Sequence, residues 1–232
     1  MTKRGGSGTV LDHLHARKER MFDFPSIQEL VIQVPVFLLA LTIHECAHGW
    51  VANRLGDPTA KQQGRLTLNP LAHLDIVGTI AIFLIGFGWA KPVPVDARYF
   101  RQPRRDMVLV AVAGPLSNAV LAVAAAFCFQ MIPWRSMLTS ESAWLVLPIA
   151  RVIKSSVYVN VILAVFNLLP IPPLDGSRVV SGLLPLRQAI TYSRLEPYGF
   201  VVLFLLFFSR ITDQILWPPI HFLTTALFRM WG

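Results

Sequence analysis

Charge is scarce in this chain. Only 15% of its 232 residues are Asp, Glu, Lys or Arg, where a soluble domain carries roughly 25%. That weighs against an ordinary water-soluble domain. Cysteine is scarcer still: Cys46 and Cys128 are the two in the chain, and they form no disulfide-scaffold pattern. Acidic residues number 13 against 21 basic ones. The net charge of +8 raises the question of nucleic acid. These charges fall in loops between apolar runs, however, where membrane topology and anionic lipid account for them, and no nucleic-acid partner is expected. Inverted repeats and paired broken helices, the marks of a transporter, are not visible.

Apolar residues are abundant, at 54%. They fall in runs over roughly 27–52, 76–89, 107–132, 145–169 and 198–230, the last interrupted near Arg210–Asp213. Runs near 20 residues or longer can span a bilayer. The expected fold is an all-α polytopic membrane protein of about four to five transmembrane helices. The 76–89 run is short and glycine-rich. Residues 1–25 are polar and mildly basic, without the apolar core or cleavage site of a signal peptide. They are expected to be a flexible or surface-lying tail, with residues 26–232 as one domain.

At the end of the first apolar run stands His44-Glu45-Cys46-Ala47-His48. On a helix, residues four apart share a face, so both imidazoles can hold one metal ion. Glu45 is turned about 100° from His44. It stands outside the ligand row but within reach of a water on the metal, as a general base. Cys46, roughly 200° from His44, reads as helix packing. Ionisable groups in a transmembrane helix are expensive, which favours a functional reading over a structural polar cluster.

A catalytic zinc usually has three protein ligands and a water, and a carboxylate commonly joins two His. One is available at Asp175, in the Pro-rich break Asn167-Leu-Leu-Pro170-Ile-Pro172-Pro173-Leu174-Asp175-Gly176. Prolines there end the preceding helix, and Gly176 permits a tight turn.

With these segments, the chain resembles the site-2 protease family of intramembrane zinc metalloproteases, in its short bacterial type without a PDZ domain. The matching residues are His44-Glu45-x-x-His48, Gly114-x-x-x-Asn118 and Asn167-x-x-Pro170-x-x-Pro173-x-Asp175-Gly176. The Gly64–Asp75 and Ala90–Val95 segments are similar as well. The resemblance implies one zinc per chain on His44, His48 and Asp175, a catalytic Glu45, and transmembrane protein substrates. It also implies hydrogen bonds from Asn118 and Asn167 to the oxyanion or substrate backbone; the alternative role, more open for Asn167 than for Asn118, is polar glue between spans. The expected location is a cell membrane, the bacterial cytoplasmic one. The alternative function is a non-proteolytic zinc-binding membrane protein or an ion carrier; an intact Glu45 beside the metal argues against it.

Shared metal binding also constrains topology. If 76–89 crossed the bilayer, His48 and Asp175 would end on opposite faces, about 30 Å apart. That segment is therefore expected to be re-entrant or interfacial. Basic residues concentrated between Arg54 and Arg105 make this side cytoplasmic. The alternating Arg65-Leu66-Thr67-Leu68-Asn69 stretch suggests a short β-like hairpin near the site, able to hold an unwound substrate by β-augmentation. His73 is a candidate for supporting the site or for the membrane interface.

Overall fold

The computed structural model describes residues 26–85, 88–134, 137, 143–209 and 211–230. The tail expected over 1–25 lies outside the described residues. Contacts divide the chain into residues 1–31 and 32–232. In the first unit, Ser26 and Glu29 form a reciprocal cap: the Ser26 N–H donates to Glu29 Oε2 (2.9 Å) and the Glu29 N–H to Ser26 Oγ (3.3 Å).

The described elements are helical. They run α1 (Ile27–Arg54), α2 (Thr59–Gln62), α3 (Ile76–Ile85), α4 (Pro103–Met131), α5 (Ala143–Asn167), α6 (Asp175–Leu183), α7 (Leu186–Ser193), α8 (Gly199–Phe208) and α9 (Ile211–Arg229). Three of them, α1, α4 and α5, are long and apolar enough to cross a membrane, with 28, 29 and 25 residues. At 1.5 Å per residue each exceeds the roughly 30 Å of a hydrocarbon core. The expected count of four to five spans is therefore not reached by length and composition among the described residues.

Many large apolar side chains face outward while several polar ones lie inside. Leu116, Val120, Phe127 and Leu205 are exposed, whereas Thr42, His44, Asn118, Asn160 and Thr224 are buried. Such an arrangement suits lipid outside and paired polar groups inside. Small residues allow α4 to approach its neighbours: Ala122 and Ala126 pack with Val157 and Val161 of α5 and with Leu216, Ile220 and Leu227 of α9. At the other end of α4, Val110 packs with Ala52 of α1 and with Phe100.

The segment from 74 to 90 returns to its start. Leu74 and Ala90 form an antiparallel bridge, and the Lys91 N–H donates to the His73 carbonyl at 3.0 Å. Between them α3 has 10 residues, about 15 Å of helix, half the hydrocarbon core. The expected hairpin over Arg65–Asn69 does not form: that stretch makes bends, and no strand occurs among the described residues. Its backbone is drawn into local turns instead. Asn69 caps the short 3-10 turn Pro70–Ala72, and the Thr67 carbonyl is bonded to buried His73 at 2.9 Å.

Candidate metal centre

His44 and His48 lie on the buried face of α1 together with Ala40 and Ala52, the four-residue repeat of one helical stripe. They stand ten and six residues before Arg54, so about 15 and 9 Å along the axis from that end. Asp175 opens α6 after the Pro-rich break, which includes a cis Pro172–Pro173 peptide. Gly176 is what lets α6 start there. A Cβ at Gly176 would lie 2.2 Å from the Leu168 carbonyl oxygen, so any side chain would push Asp175 away from the end of α5. The far end of α6 is tied to α4, where Arg104 donates to the carbonyls of Ser181 and Gly182 at 3.2 Å and also to that of Leu184.

The three side chains converge. His44 Nε2 and His48 Nε2 are 3.0 Å apart, and Asp175 Oδ2 is 3.1 Å from the first and 3.2 Å from the second. His44 and His48 are buried, at 4% and 8% exposure. The other ring nitrogens decide the tautomers. His44 Nδ1 is 2.6 Å from Asn118 Oδ1, and His48 Nδ1 is 2.7 Å from the Val110 carbonyl. A carbonyl oxygen can only accept, so both Nδ1 atoms carry the proton and both Nε2 atoms present lone pairs.

Two imidazole lone pairs and a carboxylate oxygen at such distances repel one another unless a cation lies among them. Tetrahedral ligands with bonds of about 2 Å are separated by roughly 3.3 Å, close to the observed spacings. The donor set therefore fits zinc. Gly114 adds a second test: a Cβ there would lie 2.4 Å from His48 Nε2 and 2.5 Å from His44 Nε2. The glycine keeps the helix surface clear of both donor atoms.

Glu45 lies outside the ligand row, as its helical position requires. Its Oε2 accepts from the Val93 N–H at 2.9 Å. Glu45, the three donors and Asn167 line one cavity of about 360 Å³, walled by apolar side chains such as Phe37, Leu41, Phe166 and Phe200. Asn167 donates to the Leu163 carbonyl at 2.9 Å. Asn118 is placed differently from its expected role. It is fully buried, and its Nδ2 donates to the Ala40 carbonyl (3.2 Å) and to Asn160 Oδ1 (2.8 Å) while its Oδ1 accepts from His44. With both amide hydrogens committed, it has none for an oxyanion. Asn160, which in turn bonds the Ser156 carbonyl, escaped the sequence reading; a polar residue amid the apolar 145–169 run was its signal. His73 is buried too, away from the donor atoms, within the 67–73 turn.

These positions are those of a membrane metallopeptidase. The model of peptidase family M50 matches residues 33–209, and the chain belongs to that family, the site-2 proteases. It is 42% identical over 190 residues to the "Putative zinc metalloprotease YwhC" of Bacillus subtilis, covering 81% of this chain and 85% of the relative. The "Putative zinc metalloprotease Rip2" of Mycolicibacterium smegmatis is 27% identical over 191 residues, 79% of this chain and 69% of the relative. Rip2 of Mycobacterium tuberculosis strain H37Rv is 29% identical over 192 residues, 77% and 67% respectively. No solved structure matches the chain at a significant level. The protein is a zinc metalloprotease with multiple apolar membrane helices.

Proposed function

We propose that the protein cleaves peptide bonds in transmembrane segments of other membrane proteins, near the cytoplasmic face, and that residues 26–232 form its one catalytic domain. His44, His48 and Asp175 hold the zinc. When bound, that ion supplies Lewis acidity and lowers the pKa of water at the site. Glu45 takes a proton from the attacking water and passes it to the departing amine. The Val93 N–H bond keeps the Glu45 carboxylate aimed into the cavity. Asn118 holds the His44 ring in the tautomer that leaves Nε2 free, and Asn160 holds Asn118. Asn167 has a second amide hydrogen for a substrate carbonyl. The apolar walls exclude water and receive the apolar side chains of a locally unwound substrate helix.

The topology that goes with this reading has α1, α4 and α5 crossing, residues 76–89 re-entrant or interfacial, and the 199–229 stretch as the remaining passage. The meeting of Leu74 with Ala90 supports it, as does the basic 54–105 region, which the positive-inside rule puts in the cytoplasm. A purely structural metal site would call for four protein ligands, whereas the described residues bring three together beside a carboxylate.

The observation that carries this reading is the convergence of three donor atoms within 3.2 Å of one another in a cavity that also holds Glu45. Glu45→Gln tests it, because the amide fills the same space but cannot shuttle a proton. The variant should keep one zinc per chain and lose at least 100-fold in turnover of a reconstituted single-span peptide, the lower end of typical acid–base contributions. Activity within tenfold of wild type would remove Glu45 from its role.

A further inference from the structure

Arg65 is a charged residue in the interior. It is 8% exposed, and among the described residues no carboxylate pairs with it. Its guanidinium instead donates from one terminal nitrogen to the Lys91 carbonyl at 2.8 Å and to the Pro92 carbonyl at 3.3 Å, and its Nε has no partner. A buried charge answered only by neutral carbonyls carries a substantial desolvation cost. Helix packing alone would be served as well by an apolar side chain of similar size.

The groups Arg65 grips adjoin the one that reaches Glu45. The Pro92 carbonyl and the Val93 N–H belong to a single peptide unit, planar and trans. Arg65 takes the oxygen end of that plane, and Glu45 Oε2 takes the hydrogen end at 2.9 Å. A donor on the oxygen also polarises the amide, which strengthens the N–H on the other side. Pro92 and Pro94 lack N–H groups, so Val93 offers the single backbone donor in that tripeptide. On α1, one turn after Glu45, Leu66 and Val93 both cover Gly49, at 2.7 and 3.0 Å from the position of a Cβ. The segment bearing Arg65 and the segment bearing Val93 are thus stacked on the Glu45 side of the helix. Asp57 fixes the strap farther along, accepting from the Asp96 N–H at 2.7 Å.

From this geometry we infer that Arg65 is a positioning residue for the proteolytic reaction, acting through the Pro92–Val93 peptide to aim the Glu45 carboxylate. It rests on the reading of Glu45 as the general base. The ligand atoms are held by other contacts, from Asn118, Val110 and the end of α5, so Arg65 governs turnover and not metal loading. Lysine at this position keeps a donor charge, but on a shorter and more flexible stem without the planar guanidinium.

The experiment compares Arg65→Gln, Arg65→Lys and Glu45→Gln with wild type in proteoliposomes. The probe is a fluorescent single-span peptide chosen from a panel by wild-type turnover. Arg65→Gln should lower kcat about tenfold to a hundredfold, the loss that a displacement of about 1 Å brings, with KM within about threefold and one zinc retained. Arg65→Lys should fall between it and wild type. Hydrogen exchange at the Val93 amide, read on zinc-depleted protein, should speed up at least tenfold in Arg65→Gln while α4 amides keep their protection. A kcat within twofold of wild type, or unchanged Val93 exchange, overturns the inference. So does loss of zinc in both Arg65 variants, which would make the residue a fold element. An active Glu45→Gln would instead defeat the reading of Glu45 as the base.

Discussion

Gly114→Ala separates the metal centre from the fold that carries it. Within α4 the change should help the helix, since alanine is favoured over glycine by about 1 kcal/mol in a helix interior. At the site it should do damage. The new Cβ would stand 2.4 Å from His48 Nε2 and 2.5 Å from His44 Nε2, where real Cβ contacts stay above 3.0 Å. The rings must retreat by about 0.6 Å, beyond the roughly 0.5 Å within which a working constellation has to be held. Forcing an extra methyl into a packed site costs about 1–3 kcal/mol, or roughly 5- to 150-fold in affinity. The affinity loss should appear in a competition titration of purified protein against a zinc chelator, while membrane insertion and yield stay at wild-type levels. Leu116→Ala, at a lipid-facing position on the same helix, is the control and should bind zinc normally. Zinc affinity of Gly114→Ala within twofold of wild type would refute the reasoning, because the two donor atoms would then not need that space.

Asp175→Ala should lose most of its zinc in the same titration while the protein stays inserted; full occupancy would take the carboxylate out of the site. Asn118→Leu should weaken zinc binding about 10- to 100-fold, the usual effect of removing a partner that orients a ligand, and should deprive Asn160 Oδ1 and the Ala40 carbonyl of the bonds Asn118 donates to them. Single cysteines at Gln63 and Gln102, both exposed, in a variant with Cys46 and Cys128 replaced, should label alike with a membrane-impermeant thiol reagent, reacting only after right-side-out vesicles are lysed. Opposite labelling of the two positions would mean that 76–89 crosses the bilayer.

Much of this site was legible because it is local. His44 and His48 share a face by helical period alone, Glu45 is turned aside by the same geometry, and Asp175 follows a proline break that any helix must respect. The antiparallel meeting of Leu74 with Ala90 agrees with the constraint that both ligand sets share one metal. Element types were less secure where side chains compete for the backbone. Alternation over Arg65–Asn69 suggested a strand edge, but His73 takes up the Thr67 carbonyl and the Thr67 hydroxyl takes up the Asn69 N–H.

What the sequence determined by itself, then, was the membrane setting, the donor residues and the chemistry they support, since these depend on composition and on spacings of a few residues. Only the tertiary structure decided what Asn118 faces, that Asn160 stands behind it, and that Arg65 and Glu45 grip opposite ends of one peptide. Those contacts join residues 27 to 74 positions apart. No periodicity links positions so far apart along the chain. A side chain's partner there is set by which helices pack and how deeply, and an amide that reads equally well as substrate donor, helix glue or histidine support takes its role from the acceptor that packing brings within 3 Å.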